Sequence, residues 1–120
     1  MHARRALVTL LAAGLTATAA VPALAHTELV SSGPESGAVV KHLPKTVVLN
    51  FGETLQTVES ATVVTGTENH AVKARLNPKN ARQVRITTRT DTQGRYTVTV
   101  KLVTSDGHHQ QVRYAFRVKR

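Results

Sequence analysis

Tyr96-Thr97-Val98-Thr99-Val100-Lys101-Leu102 alternates apolar and polar residues without a break, and Val112-Arg113-Tyr114-Ala115-Phe116-Arg117-Val118 repeats the pattern near the end of the chain with Ala115 in one of the polar places. Period two sends successive side chains to opposite faces of a strand. Tyr96, Val98, Val100 and Leu102 therefore share one face, Val112, Tyr114, Phe116 and Val118 share another, and both faces require burial. Earlier in the chain Val47, Leu49 and Phe51 alternate with Val48 and Asn50, behind Pro44, whose missing N–H does no harm just ahead of a strand. Residues 28–32 read as a first strand, ended by the turn cluster Gly33-Pro34-Glu35-Ser36-Gly37. Residues 61–65 and 71–76 read as two more, joined across Gly66-Thr67-Glu68-Asn69, and Asn77-Pro78-Lys79-Asn80 turns the chain toward Val84 and Ile86. No segment after residue 26 carries a helical period. About seven short strands punctuated this way predict an all-β fold, an antiparallel Greek-key β-sandwich.

The first 25 residues have a different composition. His2, Arg4 and Arg5 precede an apolar-to-small stretch, and Ala23-Leu24-Ala25 closes it with an A-x-A sequence, so residues 1–25 read as a cleavable secretory signal peptide. Gly14, Thr9, Thr16 and Thr18 dilute the run below what a membrane-spanning helix requires. Arg4-Arg5 leaves the export route open. A periplasmic or extracellular location is expected, with residues 26–120 as one domain and one core. The 120-residue chain has no cysteine, which excludes disulfides and thiolate metal sites, and its one methionine is Met1. A mature chain of 26–120 would have 14 basic and 7 acidic residues, a net charge of +7. With the basic residues dispersed along the sequence and the two Tyr and two Phe assigned to the core, this charge reads as solubility rather than as nucleic-acid binding, and a monomer is expected.

Cleavage after Ala25 would make His26 the first residue. An amino-terminal histidine offers its α-amine and its ring Nδ1 to one metal ion, and the amine's ordinary pKa of roughly 7.7–8.0 makes its proton easy to displace near neutrality. Asp106 and His108, two residues apart in Ser105-Asp106-Gly107-His108-His109, would project to the same side if the spacing continues a strand. On that loop alone, an Asp-Gly turn with exposed histidines is an equally good account. Joined with His26, the set supplies three nitrogens and one oxygen, which suits tetragonal Cu(II) better than tetrahedral zinc. Glu53, just past the strand that ends at Phe51, reads as a weak further ligand, as a carboxylate orienting a histidine, or as an exposed carboxylate at a strand end. His109 is a fallback ligand, although on an extended strand it would point to the opposite side, and His42 and His70 fall in turns, where solvated rings are expected.

Four motifs then carry a resemblance. The post-leader His26, Ser32-Gly33-Pro34-Glu35-Ser36-Gly37, the run from Pro44 through Phe51-Gly52-Glu53, and Gly94-Arg95-Tyr96 leading to Ser105-Asp106-Gly107-His108 resemble, in order and spacing, the CopC family of secreted copper-binding proteins. The resemblance covers nearly all of residues 26–120. It implies an immunoglobulin-like or cupredoxin-like sandwich that binds Cu(II) through His26, Asp106 and His108, with Glu53 nearby. It also implies a role in copper resistance or homeostasis, with a membrane copper transporter as the receiving partner and no enzymatic activity. Family members commonly carry tryptophan at Val100, proline at His109 and glycine at Val112, so this chain departs in its core and at the loop exit. Some members hold Cu(I) in a methionine-rich segment, which this chain lacks. Two other functions fit parts of the pattern: a histidine-brace copper monooxygenase, which shares the amino-terminal histidine, and a metal-free interaction sandwich.

Overall fold

The computed structural model describes residues 27–120. The signal peptide expected at 1–25 and the candidate ligand His26 lie outside the described residues. Nine strands follow one another: β1 (Leu29–Gly33), β2 (Val39–Val40), β3 (Thr46–Phe51), β4 (Leu55–Thr65), β5 (Glu68–Asn69), β6 (Ala71–Asn77), β7 (Asn80–Thr88), β8 (Gly94–Thr104) and β9 (His109–Val118). Seven of these have five residues or more, and β2 and β5 have two each. They form a four-stranded sheet in the order β1-β3-β7-β6 and a five-stranded sheet in the order β2-β9-β8-β4-β5. The predicted all-β sandwich is the observed one. One pairing departs from the antiparallel rule, since β2 runs parallel to β9, with Val39 opposite Arg117 and Val40 opposite Val118.

The core lies where the alternation places it. Tyr96, Val98, Val100 and Leu102 of β8 are fully buried, and Tyr114, Phe116 and Val118 of β9 are nearly so. From the other sheet they meet Val47, Leu49 and Phe51 of β3 and Val84 and Ile86 of β7. The rings of Tyr96 and Phe116 stack, with centroids 5.3 Å apart. Strand β4 begins six residues before the predicted segment at 61–65. Its register against β8 shifts between Leu55 and Thr57 and again between Val58 and Ser60. Each irregularity resets the period-two pattern by one residue, which hid the strand's first half.

One histidine is corrected by the fold. His70, expected to be solvated in a turn, is completely buried. It stands between β5 and β6, edge-on to Tyr96 at 5.1 Å. Its Nδ1 lies 3.0 Å from the Arg89 carbonyl and 2.8 Å from the Thr90 carbonyl, so this nitrogen carries the proton and donates. Nε2 comes within 3.2 Å of Glu68 Oε1 without the alignment of a hydrogen bond. Two polar residues beside a glycine-containing turn disguised an inward-facing position.

Candidate metal centre

The hairpin between β8 and β9 ends in a four-residue turn, 105–108, built on Thr104. This threonine continues the inward parity of Tyr96, Val98, Val100 and Leu102, and it is fully buried. Its amide donates to the His108 carbonyl at 2.9 Å, and its carbonyl accepts from the Gly107 amide at 2.8 Å. The Thr104 hydroxyl accepts from the His108 amide at 3.2 Å and donates to Asp106 Oδ1. Gly107 takes φ of 92°, a conformation that side chains resist, so glycine lets the turn close.

On this base Asp106 and His108 are brought together, with Oδ2 of the first 3.1 Å from Nδ1 of the second. Both side chains remain more than half exposed. The Thr104 hydroxyl, followed by His108, holds the Asp106 carboxyl below the ordinary carboxylate range, so it is an anion at neutral pH.

Two further segments converge on the same end of the sandwich. The Ser105 amide donates to the Thr54 carbonyl at 3.0 Å, which ties the turn to the β3–β4 connection, and the Gly52 amide donates to the Glu28 carbonyl at 3.0 Å. The Thr27 amide donates to Gln110 Oε1 at 2.8 Å, fastening the start of the described chain to β9 two residues past His108. Thr27, Glu28, Gly52 and Glu53 line a cavity of about 390 Å³. Two polar atoms there, Thr27 Oγ1 and Glu53 Oε1, are buried with no hydrogen-bond partner. Buried oxygens are rarely left in that state, and a carboxylate oxygen least of all. Glu53 is thus positioned beside the segment that leads back to His26.

The remaining histidines are elsewhere. His109 turns away from the pair, its Nδ1 3.1 Å from Glu59 Oε1 on β4. His42 pairs with Asp91 at 2.7 Å, and His70 is the buried ring already described. Among the described residues no group of three or more His, Asp or Glu is arranged to hold a metal ion. Asp106 and His108 stand as an exposed pair at the end of the sandwich where Thr27 is anchored. Sequence reasoning singled out this pair on strand spacing, whereas the structure sets it on a turn between strands, and the supporting residues Thr104, Thr54 and Gln110 were missed. Parity along β8 was the available signal for Thr104, whereas the other two act through backbone and amide groups that leave no pattern.

Against known proteins, residues 29–119 match the family model described as the CopC domain. This chain belongs to the CopC family. Protein YobA of Escherichia coli K12 is 32% identical to it over 110 residues, 88% of this chain and 89% of that protein. Among solved structures, the CopC of Methylosinus trichosporium OB3b superposes with a TM-score of 0.70 at 23% identity, covering 78% of this chain and 94% of that one. PcoC, described as a methionine-rich copper resistance protein from Escherichia coli, superposes with a TM-score of 0.68 at 28% identity, covering 79% and 100%. This CopC-family chain shares PcoC's fold without its richness in methionine, having one Met, at position 1.

Proposed function

We propose that the chain, once cleaved before His26, is an exported carrier that sequesters Cu(II) for copper resistance or homeostasis and passes it to a membrane copper transporter. The ion is cargo. His26 supplies its α-amine and ring nitrogen, His108 an imidazole nitrogen and Asp106 a carboxylate oxygen, with Glu53 beside them as a further ligand or as the acceptor that orients the amine. The observation that carries this is the hydrogen bond from Thr27 to Gln110, 2.8 Å long. That bond fastens Thr27 two residues past His108, and one peptide step, about 3.8 Å between consecutive Cα atoms, separates Thr27 from His26 in the chain. The unpartnered Glu53 carboxylate oxygen fits the same account, since a positively charged amine or a metal ion would satisfy it.

The donor set points to Cu(II) rather than Cu(I). It contains nitrogen and oxygen only, and the soft thioether that favours Cu(I) is missing from residues 2–120. The carrier role is also favoured over the oxidative one. Tyr96, Tyr114, Phe51 and Phe116 are all buried, so none is left to form an aromatic face for a polysaccharide. The test is a Cu(II) titration of the protein beginning at His26, followed by electron paramagnetic resonance. One equivalent bound with a nitrogen-rich tetragonal signal is expected, and an oxygen-only signal like that of weakly adsorbed copper would reject the ligand set.

A further inference from the structure

Most of the described basic side chains have no acidic partner within 4 Å. Among the described residues, Arg120 is the one Lys or Arg within 4 Å of a carboxylate, through Asp91. The reason is that four of the seven acids face histidines: Asp91 faces His42, Glu68 faces His70, Asp106 faces His108 and Glu59 faces His109. On the outer face of the five-stranded sheet, Arg95 of β8 stands directly opposite Arg117 of β9, and both are exposed. Like charges opposite one another across an antiparallel pair are destabilising, so the fold maintains an unneutralised arrangement here. The same pair borders a groove of about 190 Å³, walled on the other side by Gly37, Ala38 and Val39 of the segment entering β2. Val39, 63% exposed, gives the groove an apolar lip.

We infer that this groove is a docking site for an acidic polypeptide segment, whose carboxylate is clamped between the Arg95 and Arg117 guanidinium groups while a neighbouring apolar side chain covers Val39. Guanidinium forks hold carboxylates with two parallel hydrogen bonds, which gives orientation as well as attraction. The concavity takes individual side chains. A membrane surface is less suited, since among the described residues Val30, Val39 and Val72 are the large hydrophobic residues that are strongly exposed and no aromatic is available to anchor at the interface. The lack of an exposed aromatic likewise disfavours single-stranded nucleic acid, which binds by stacking. Arg95 and Arg117 lie at the far end of the β8–β9 hairpin from the 105–108 turn, roughly 30 Å away at 3.3 Å per residue. A partner held there would leave the 105–108 turn uncovered.

The second opposed pair, Arg75 and Arg85 on β6 and β7, provides the control, because it carries the same charge without bordering this groove. The probe is a fluorescein-labelled peptide of alternating Glu and Val, titrated with the purified protein at low salt and followed by anisotropy. Arg95→Gln with Arg117→Gln should weaken binding at least tenfold, and Arg75→Gln with Arg85→Gln less than threefold. Arg95→Lys with Arg117→Lys, which retains charge but not the fork, should fall between them. Equal losses from the two glutamine pairs would reduce the effect to net charge and overturn the assignment. Tighter capture of phosphatidylglycerol vesicles or duplex DNA than of the peptide, with the same dependence on Arg95 and Arg117, would overturn it in favour of a phosphate surface.

Discussion

Each of the four described histidines sits beside a carboxylate, at 2.7 Å for His42, 3.2 Å for His70 and 3.1 Å for His108 and His109, so the pairing does not tell a ligand from a bystander. What differs is the rest of the surroundings. His70 is buried and already donates to two carbonyls, and His42 shares Asp91 with Arg120, a cation that would repel a metal ion. His108 and His109 are adjacent and similarly exposed, yet they point to different partners, Asp106 on the same turn and Glu59 on β4. His108 alone stands on the turn tied to the β3–β4 connection. His108→Ala should therefore lower Cu(II) affinity by tenfold or more, while His109→Ala changes it less than threefold, as read by competition with a chromogenic chelator. The two alanine variants should melt within a few degrees of the parent, because both rings are on the surface. A reversed order would shift the ligand by one residue and break the geometric case for Asp106 as its companion.

The segments that connect strands are held by side chains acting on backbone, and Asp91 is the clearest case. It accepts from the Leu43 amide at 2.8 Å, contacts His42 Nδ1 at 2.7 Å and accepts from Arg120 Nη1 at 3.1 Å, clasping the β2–β3 connection, the β7–β8 connection and the C-terminal residue. The Leu43 amide, then His42 and Arg120, lower its pKa to about 2. A carboxyl whose folded value is depressed adds stability that is complete above its unfolded pKa and fades as pH falls toward the folded one. The urea midpoint should accordingly drop between about pH 4 and pH 2, and Asp91→Asn should flatten that part of the profile while lowering the midpoint at pH 7. An unchanged acid limb in the Asn variant would transfer the effect to another carboxylate. Such clasps explain what could and could not be read in the chain. The alternation in β3, β8 and β9 specified strands, faces and core together, because burial on one side imposes period two. The bulged first half of β4 and the two-residue β2 and β5 escaped notice, since an extra residue or a very short pairing leaves no period. Asp106 with His108 was visible as spacing, whereas Thr104, Thr54 and Gln110 draw their importance from contacts between segments distant in sequence.

At the scale of the whole molecule, the candidate site is assembled at one end of the sandwich from the segment at Thr27, the connection containing Glu53 and the turn at 105–108. These lie far apart in sequence and are joined through Thr27 to Gln110, Gly52 to Glu28 and Ser105 to Thr54. None of those three hydrogen bonds involves residue 26, so the framework should form whether or not the leader has been removed, and cleavage should act on the metal alone. Before cleavage the nitrogen of His26 is an amide, planar and without an available lone pair, and the chelate with its own ring cannot close. After cleavage it would be an amine, able to close that chelate. Processing would then couple copper binding to export, keeping the precursor from competing for the ion. A protein with one glycine added ahead of His26 separates this from a simple loss of folding. It should melt like the authentic mature chain and keep the Asp106–His108 pair, yet bind Cu(II) at least tenfold more weakly in chelator competition at fixed pH, with fewer nitrogens in its paramagnetic spectrum. Equal affinity with an unchanged spectrum would show that the α-amine is not a ligand, leaving the unsatisfied Glu53 oxygen to be explained by some other cation.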